Sequence, residues 1–262
     1  MKISNPNELN YVPKRIVSLV PSQTELLYSL GLDEEVVGIT KFCVHPKQWF
    51  NMKTRIGGTK NLNMEKIIAL SPDLIIANKE ENIKESVEEL SEIFPVWISD
   101  IANLRDSIKM IKDISQLVGK EQDGLSLSYE IDQLFRSLET NFKSRNHLQV
   151  NTCYLIWKDP YMTIGGDTFI NDMLEKAGFK NVFADRFRYP EINIEDIRQL
   201  NCDVIMLSSE PFPFTQLHIN ELAVLLPEAK IVLVDGEMFS WYGSRLLRAP
   251  AYFKTLLQNV FD

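Results

Sequence analysis

The chain has 262 residues, 45% of them hydrophobic and 24% charged, with a net charge of −8. That is the balance of an ordinary globular protein, long enough for one large domain or two lobes that each bury a core, and it gives no sign of the basic face that nucleic acid requires. Cys43, Cys153 and Cys202 are too few and too widely spaced for a disulfide scaffold or a zinc ribbon, and at most one pair can form.

In chain order, MKISNPNELNYVPKRIVSLV holds one short apolar run. It is too short for a membrane span or a signal-peptide core. The sequence therefore reads either as an exported protein given without its leader or as a cytoplasmic one. Ile16–Val20 reads as a strand ended by Pro21. Ser22 and Glu25 then have the spacing of a capping box, with Leu26, Leu27 and Leu30 on one helical face and Gly31 as the stop. Val36–Thr40 is the second strand. Beyond the loops KFCVHPKQWF and TRIGGTKN, Asn63 caps a helix carrying Ile67, Ile68 and Leu70. Leu74–Ala77 and Pro95–Ile98 are the third and fourth strands, with a helix bearing Ile83, Val87 and Leu90 between them. Short apolar strands alternating with amphipathic helices predict a parallel α/β sheet.

From about Leu104 to Asn146 no strand is expected. Leu127, Ile131, Leu134, Phe135, Leu138 and Phe142 recur at steps of three and four, a single apolar stripe on a long helix. The rhythm then restarts: strand 152–157, helix 167–177 closed by Gly178, short helix 194–200, strands 203–207 and 231–234, and a terminal helix over 252–260. The expected class is α/β, two lobes with central parallel sheets joined by one long helix. Its divisions are residues 1–118, a connecting helix over 119–147, and residues 148–262.

Common catalytic signatures are missing: no GxSxG elbow, no phosphate loop, no dinucleotide fingerprint and no HExxH. His45, His147 and His218 are scattered, and His147 reads as a plain surface residue. Ligands of open α/β sheets bind beyond the carboxyl ends of the strands, and the loops there are rich in aromatics. The first half places Phe42, Cys43, His45 and Trp49 in such loops. The second half places Trp157, Tyr161, Met162, Arg188, Tyr189, Phe212, Phe214, Phe239, Trp241, Tyr242 and Arg245. Aromatic walls with a few polar anchors suit a large, flat, partly apolar ligand. Cys43 and His45 are weak candidates for a metal, and no resident metal is expected. Glu210 reads as a buried acid or an N-cap. Arg245 reads as an anion contact or a structural ion pair.

PSQTELLYSLG followed by NLNMEKIIALSPDLIIA, then TIGGDTFINDMLEKAGFKNVFAD and RYPEINIEDI, resembles the cobalamin-, haem- and iron-siderophore-binding proteins of ABC importers over about residues 14 to 260. The resemblance implies a class III periplasmic-binding, chelatase-like fold with a rigid backbone helix, and a ligand held between the lobes. It implies a transported corrinoid, haem or iron-siderophore, no required cofactor and no catalysis. It further implies a monomer working with a membrane permease, in the periplasm or anchored outside the membrane. Phe42, Tyr189 and Tyr161 or Met162 fall at aromatic ligand positions, with His45, Trp157, Arg188, Trp241, Tyr242 and Arg245 as further ligand contacts. Gly58 or Thr59 stands where cobalamin binders place a tryptophan. Glu65 and Glu195 fall at the permease-docking positions. The competing expectations are a chelatase-like enzyme and a cytoplasmic corrinoid- or haem-handling protein.

Overall fold

The computed structural model describes residues 1–144 and 150–261. His147 lies outside the described residues, as does the side chain of Phe142. The chain divides into two compact units. The first holds Met1–Ile101, Arg105–Ile131 and Tyr242–Arg245, and the second holds Ala102–Leu104, Asp132–Trp241 and Leu246–Asp262.

The first unit is built on a parallel six-stranded sheet of β1 (Lys2–Ile3), β2 (Ile16–Ser18), β3 (Val36–Ile39), β4 (Thr54–Arg55), β5 (Leu74–Asn78) and β6 (Val96–Ser99), in the order β1-β6-β5-β2-β3-β4. Helices α1 (Pro21–Ser29), α2 (Lys47–Met52), α3 (Met64–Leu70), α4 (Lys84–Ile93) and α5 (Leu104–Leu117) connect and follow the strands. β5, LIIAN, is buried along its whole length, as a central parallel strand must be. Each fully buried Ile or Leu there contributes about 1.5–3 kcal/mol over leaving it exposed.

α6 (Glu121–Ser144) is the expected long helix. Ile131, Phe135 and Leu138 of its stripe are buried, and the Phe135 ring meets Phe253 edge-on at 6.4 Å. Its residues are shared, up to Ile131 with the first unit and from Asp132 with the second.

The second unit has the parallel sheet β12-β11-β7-β9, built of β7 (Val150–Leu155), β9 (Phe179–Asn181), β11 (Val204–Ser208) and β12 (Lys230–Val234). An antiparallel pair lies apart from it, β8 (Tyr161–Met162) and β10 (Glu191–Ile192). Its helices are α7 (Phe169–Lys176), α8 (Ile194–Gln199), α9 (Gln216–Leu225), α10 (Glu237–Ser240) and α11 (Ala249–Phe261). One device recurs in both units. Asp73, just before β5, accepts the backbone N–H groups of Lys14 and Arg15, and Asp203, just before β11, accepts that of Asn151. Each carboxylate fixes the start of the neighbouring strand. Among the described residues no helix is long and apolar enough to cross a membrane.

The capping box expected at Ser22 and Glu25 does not form. α1 begins at Pro21, with Val20 as its N-cap and no side-chain cap bond. Proline is preorganised for the first helical position, so Ser22 falls inside the helix. Glu25 pairs instead with Arg245. Asn63 caps α3 as expected, accepting the Lys66 N–H at 2.9 Å.

Candidate functional site

In the first unit the loop after β3 turns on a buried polar set. Thr24 Oγ1 and Thr40 Oγ1 each lie 3.1 Å from Cys43 Sγ, Thr24 donates to Ser18 Oγ, and the Phe42 N–H donates to Thr40. Burial pushes the Cys43 thiol up, so it stays protonated and points inward, the opposite of what a metal ligand needs. His45 is half-buried on the same loop. Among the described residues no group of three His, Cys, Asp or Glu side chains is disposed to hold a metal. All three cysteines carry free, buried thiols.

Folding the loop this way turns Phe42 outward, 50% exposed, with Lys41 Nζ 5.0 Å from its ring centroid. Gly58 lies beneath it. A Cβ there would meet Phe42 Cε2 at 3.1 Å and Lys41 Cε at 3.3 Å, so any larger residue at 58 requires both side chains to shift. Beside this loop Asn78 donates to Ser99, Asn82 to the carbonyls of Leu19 and Thr59, and Gln23 to Ser99. This amide network holds the carboxyl edge of the sheet together, and the sequence reading did not single it out.

In the second unit the loops after β7 are woven together. Ile156 N–H donates to Met162 O and Met162 N–H to Trp157 O, so Trp157 and Met162 face each other across a short antiparallel bridge. Trp157 is 40% exposed and meets Phe212 edge-on at 5.6 Å, and Phe212 in turn packs on Phe214 and His218. Tyr161 packs on the core of the unit, where burial raises its hydroxyl.

The RFRYP loop runs alongside TIGGDT. Thr163, Gly165 and Gly166 donate to the carbonyls of Pro190, Arg188 and Arg186. The glycine pair is needed for this approach: a Cβ on Gly165 would lie 2.4 Å from Arg186 O, and one on Gly166 2.3 Å from Ala184 O. The loop presents Arg188, whose guanidinium lies 5.6 Å from the Tyr189 ring centroid, and a residue the sequence reading passed over, Phe187, which is 78% exposed. The available signal was an aromatic set between two arginines.

Trp241, Tyr242 and Arg245 are buried. Trp241 Nε1 and Ser240 Oγ both donate to Oε1 of the half-buried Glu210. Arg245 Nε and Nη2 donate to the two oxygens of Glu25 at 2.9 and 2.8 Å, a bidentate pair that commits Arg245 to the fold of the first unit. Burial, with Glu237 and Asp235 nearby, raises the Glu210 pKa above 4.5. The folded state therefore binds that proton more tightly than the unfolded chain. The group's contribution to stability is full below the unfolded pKa and is lost as pH rises through the folded one. Glu210→Gln should match or exceed the parent's stability at pH 7 and flatten this pH dependence. Glu210→Ala should cost about 1–3 kcal/mol, because the acceptor shared by Trp241 and Ser240 is gone. Urea denaturation at pH 5 and pH 7 distinguishes the three proteins, and a Gln variant weaker than the parent at pH 7 contradicts the assignment.

Glu65 and Glu195 occupy the same place in α3 and α8, second in a helix whose Asn N-cap, Asn63 or Asn193, accepts the N–H three residues on. Both are exposed. Glu195 also pairs with Arg198 within its helix.

A Bacillus subtilis (strain 168) protein named as an uncharacterized ABC transporter substrate-binding lipoprotein is 31% identical over 201 residues, 74% of this chain and 63% of that protein. The aligned region thus spans less than two thirds of that relative. The vitamin B12-binding protein of Vibrio campbellii is 25% identical over 207 residues, 78% of this chain and 74% of its own length. Two solved structures share the fold. The periplasmic vitamin B12 binding protein BtuF of Vibrio cholerae has a TM-score of 0.81 at 22% identity, covering 95% of this chain and 98% of that one. The periplasmic heme-binding protein RhuT from Roseiflexus sp. RS-1 has a TM-score of 0.80 at 21% identity, with the same coverage. Matching it across residues 16–222, the chain belongs to the periplasmic binding protein family.

Proposed function

We propose that this protein is the substrate-binding component of an ABC importer, capturing a flat, partly apolar metal chelate and passing it unaltered to a membrane permease. The carrying observation is that each unit places aromatic side chains in the loops at the carboxyl edge of its sheet. Phe42 shares its loop with His45 in the first, and Trp157 and Tyr189 stand with Arg188 in the second, next to Tyr161 and Met162 of β8. Covering about 300 Å² of apolar ligand surface contributes on the order of 7 kcal/mol before ordering costs. The ligand class is a corrinoid, haem or iron-siderophore, in line with relatives named for vitamin B12 and structural neighbours named for heme. An extracytoplasmic location, periplasmic or lipid-anchored, and a monomeric state accompany this reading.

Glu65 and Glu195 are the proposed permease contacts. Exposed carboxylates at matching positions of two Asn-capped helices suit pairing with basic residues on a partner, which sets orientation and encounter rate. With both changed to Ala, chelate uptake by cells lacking their own copy should fall about tenfold or more, while the purified variant keeps its ligand affinity. Uptake at the parental rate would remove the docking role.

A further inference from the structure

We propose that the ligand is anionic: a metal chelate with an apolar face that carries carboxylate or catecholate oxygens, read in the second unit by Arg186, Phe187 and Arg188. This rests on the substrate-binding reading above and narrows its ligand class.

The segment 186–188 is held at both its ends by residues 165–167. Gly166 N–H donates to Arg186 O at 3.0 Å, Gly165 N–H to Arg188 O at 2.7 Å, and Arg188 N–H to Asp167 Oδ1 at 2.6 Å. Arg188 is itself in the left-handed region, φ 56°, a conformation that a non-glycine residue adopts at a cost and keeps only when its surroundings impose it. This is a fixed loop, yet the ring at its centre is 78% exposed. A rigid segment that leaves a large apolar ring uncovered at the ligand edge of an α/β sheet is built to meet another surface.

The charges decide what that surface is. Arg186 and Arg188 precede and follow Phe187 in the chain and both are exposed, with the Arg188 guanidinium 5.6 Å from the neighbouring Tyr189 ring. Asp167 lies 3.8 Å from Arg188 Nη1 and offsets part of that charge, which leaves Arg186 as the stronger anion contact. A guanidinium presents a planar fork that matches a carboxylate or a pair of catecholate oxygens. The first unit repeats the pattern independently, with Lys41 beside the half-exposed ring of Phe42. Two loops that each carry an uncovered ring and cationic side chains together, in a chain of net charge −8, favour a ligand with an apolar face and an anionic edge over one with no net charge. Arg245, buried against Glu25, takes no part.

The test uses the purified full chain and three probes: haemin, an iron(III) tris-catecholate, and cyanocobalamin, which has no net charge. At least one anionic probe should bind about a hundredfold tighter than cyanocobalamin, on the basis of about tenfold per charged contact. Its affinity should fall as sodium chloride is raised. Arg186→Gln should narrow the preference about tenfold, and Phe187→Ala should weaken the anionic probe about tenfold. Cyanocobalamin binding as tightly as the anionic probes, or Arg186→Gln weakening all probes alike, overturns the inference and leaves the substrate-binding reading standing. Binding of none of the three removes both.

Discussion

Glu25→Ala and Arg245→Ala should each destabilise the first unit by about 3–5 kcal/mol, the cost of leaving one member of a buried ion pair uncompensated. The pair is bidentate, the Arg245 side chain is 5% exposed, and its partner lies 220 residues away in sequence. It anchors Tyr242–Arg245, a four-residue excursion from residues that otherwise belong to the second unit. Gly243 N–H donates to Ser107 Oγ on α5, so the excursion is seated on α1 and α5 together. Removing both charges at once, as Glu25→Leu with Arg245→Met, should recover most of the loss, because similar-sized apolar residues do not carry the desolvation penalty. Urea denaturation followed by far-ultraviolet circular dichroism reads all three variants. A single variant within about 0.5 kcal/mol of the parent, the range of an ordinary surface change, would show that the pair does not hold the excursion.

Gly165→Ala should cost about 1–3 kcal/mol, the usual range for overpacking, and should weaken ligand binding through a residue that touches no ligand. The added methyl would meet Arg186 O, Arg186 C and Phe187 C, at 2.4, 2.8 and 2.8 Å. These are backbone atoms, so no rotamer change relieves the clash. The loop carrying Phe187, Arg188 and Tyr189 must move away, and the Gly165 N–H to Arg188 O bond is strained with it. Gly166→Ala acts the same way against Ala184 O. A Gly165→Ala protein with parental stability and parental affinity would mean that the loop's position is unimportant to binding.

The strands and the long helix could be read from the sequence because their signals are local. β5 is an apolar run, α6 carries its stripe at helical period, and Asn63 caps its helix through its own side chain. The site was legible only in part. Which aromatics would be uncovered depends on packing between segments far apart in sequence. Phe212 is bounded by Trp157, Phe214 and His218, while Phe187 is left uncovered on a loop that the glycine pair pins through its backbone. Glu25 illustrates the same limit. Its spacing from Ser22 satisfied a local rule, and a partner 220 residues on, together with the proline at the helix start, overrode it. The short strands β8 and β10 have no periodic signal, since two residues are too few to show one.

The most direct measurement is equilibrium titration of the purified protein with haemin, an iron(III) tris-catecholate and cyanocobalamin, followed by Trp157 emission with Trp157→Phe as the control and with the ligand recovered and weighed by mass spectrometry. Saturable one-to-one binding of at least one chelate, quenching that the control loses, and a ligand returned with its mass unchanged are the expected result for an importer's binding protein. No saturable binding to any chelate, or a ligand that comes back chemically altered, would contradict it.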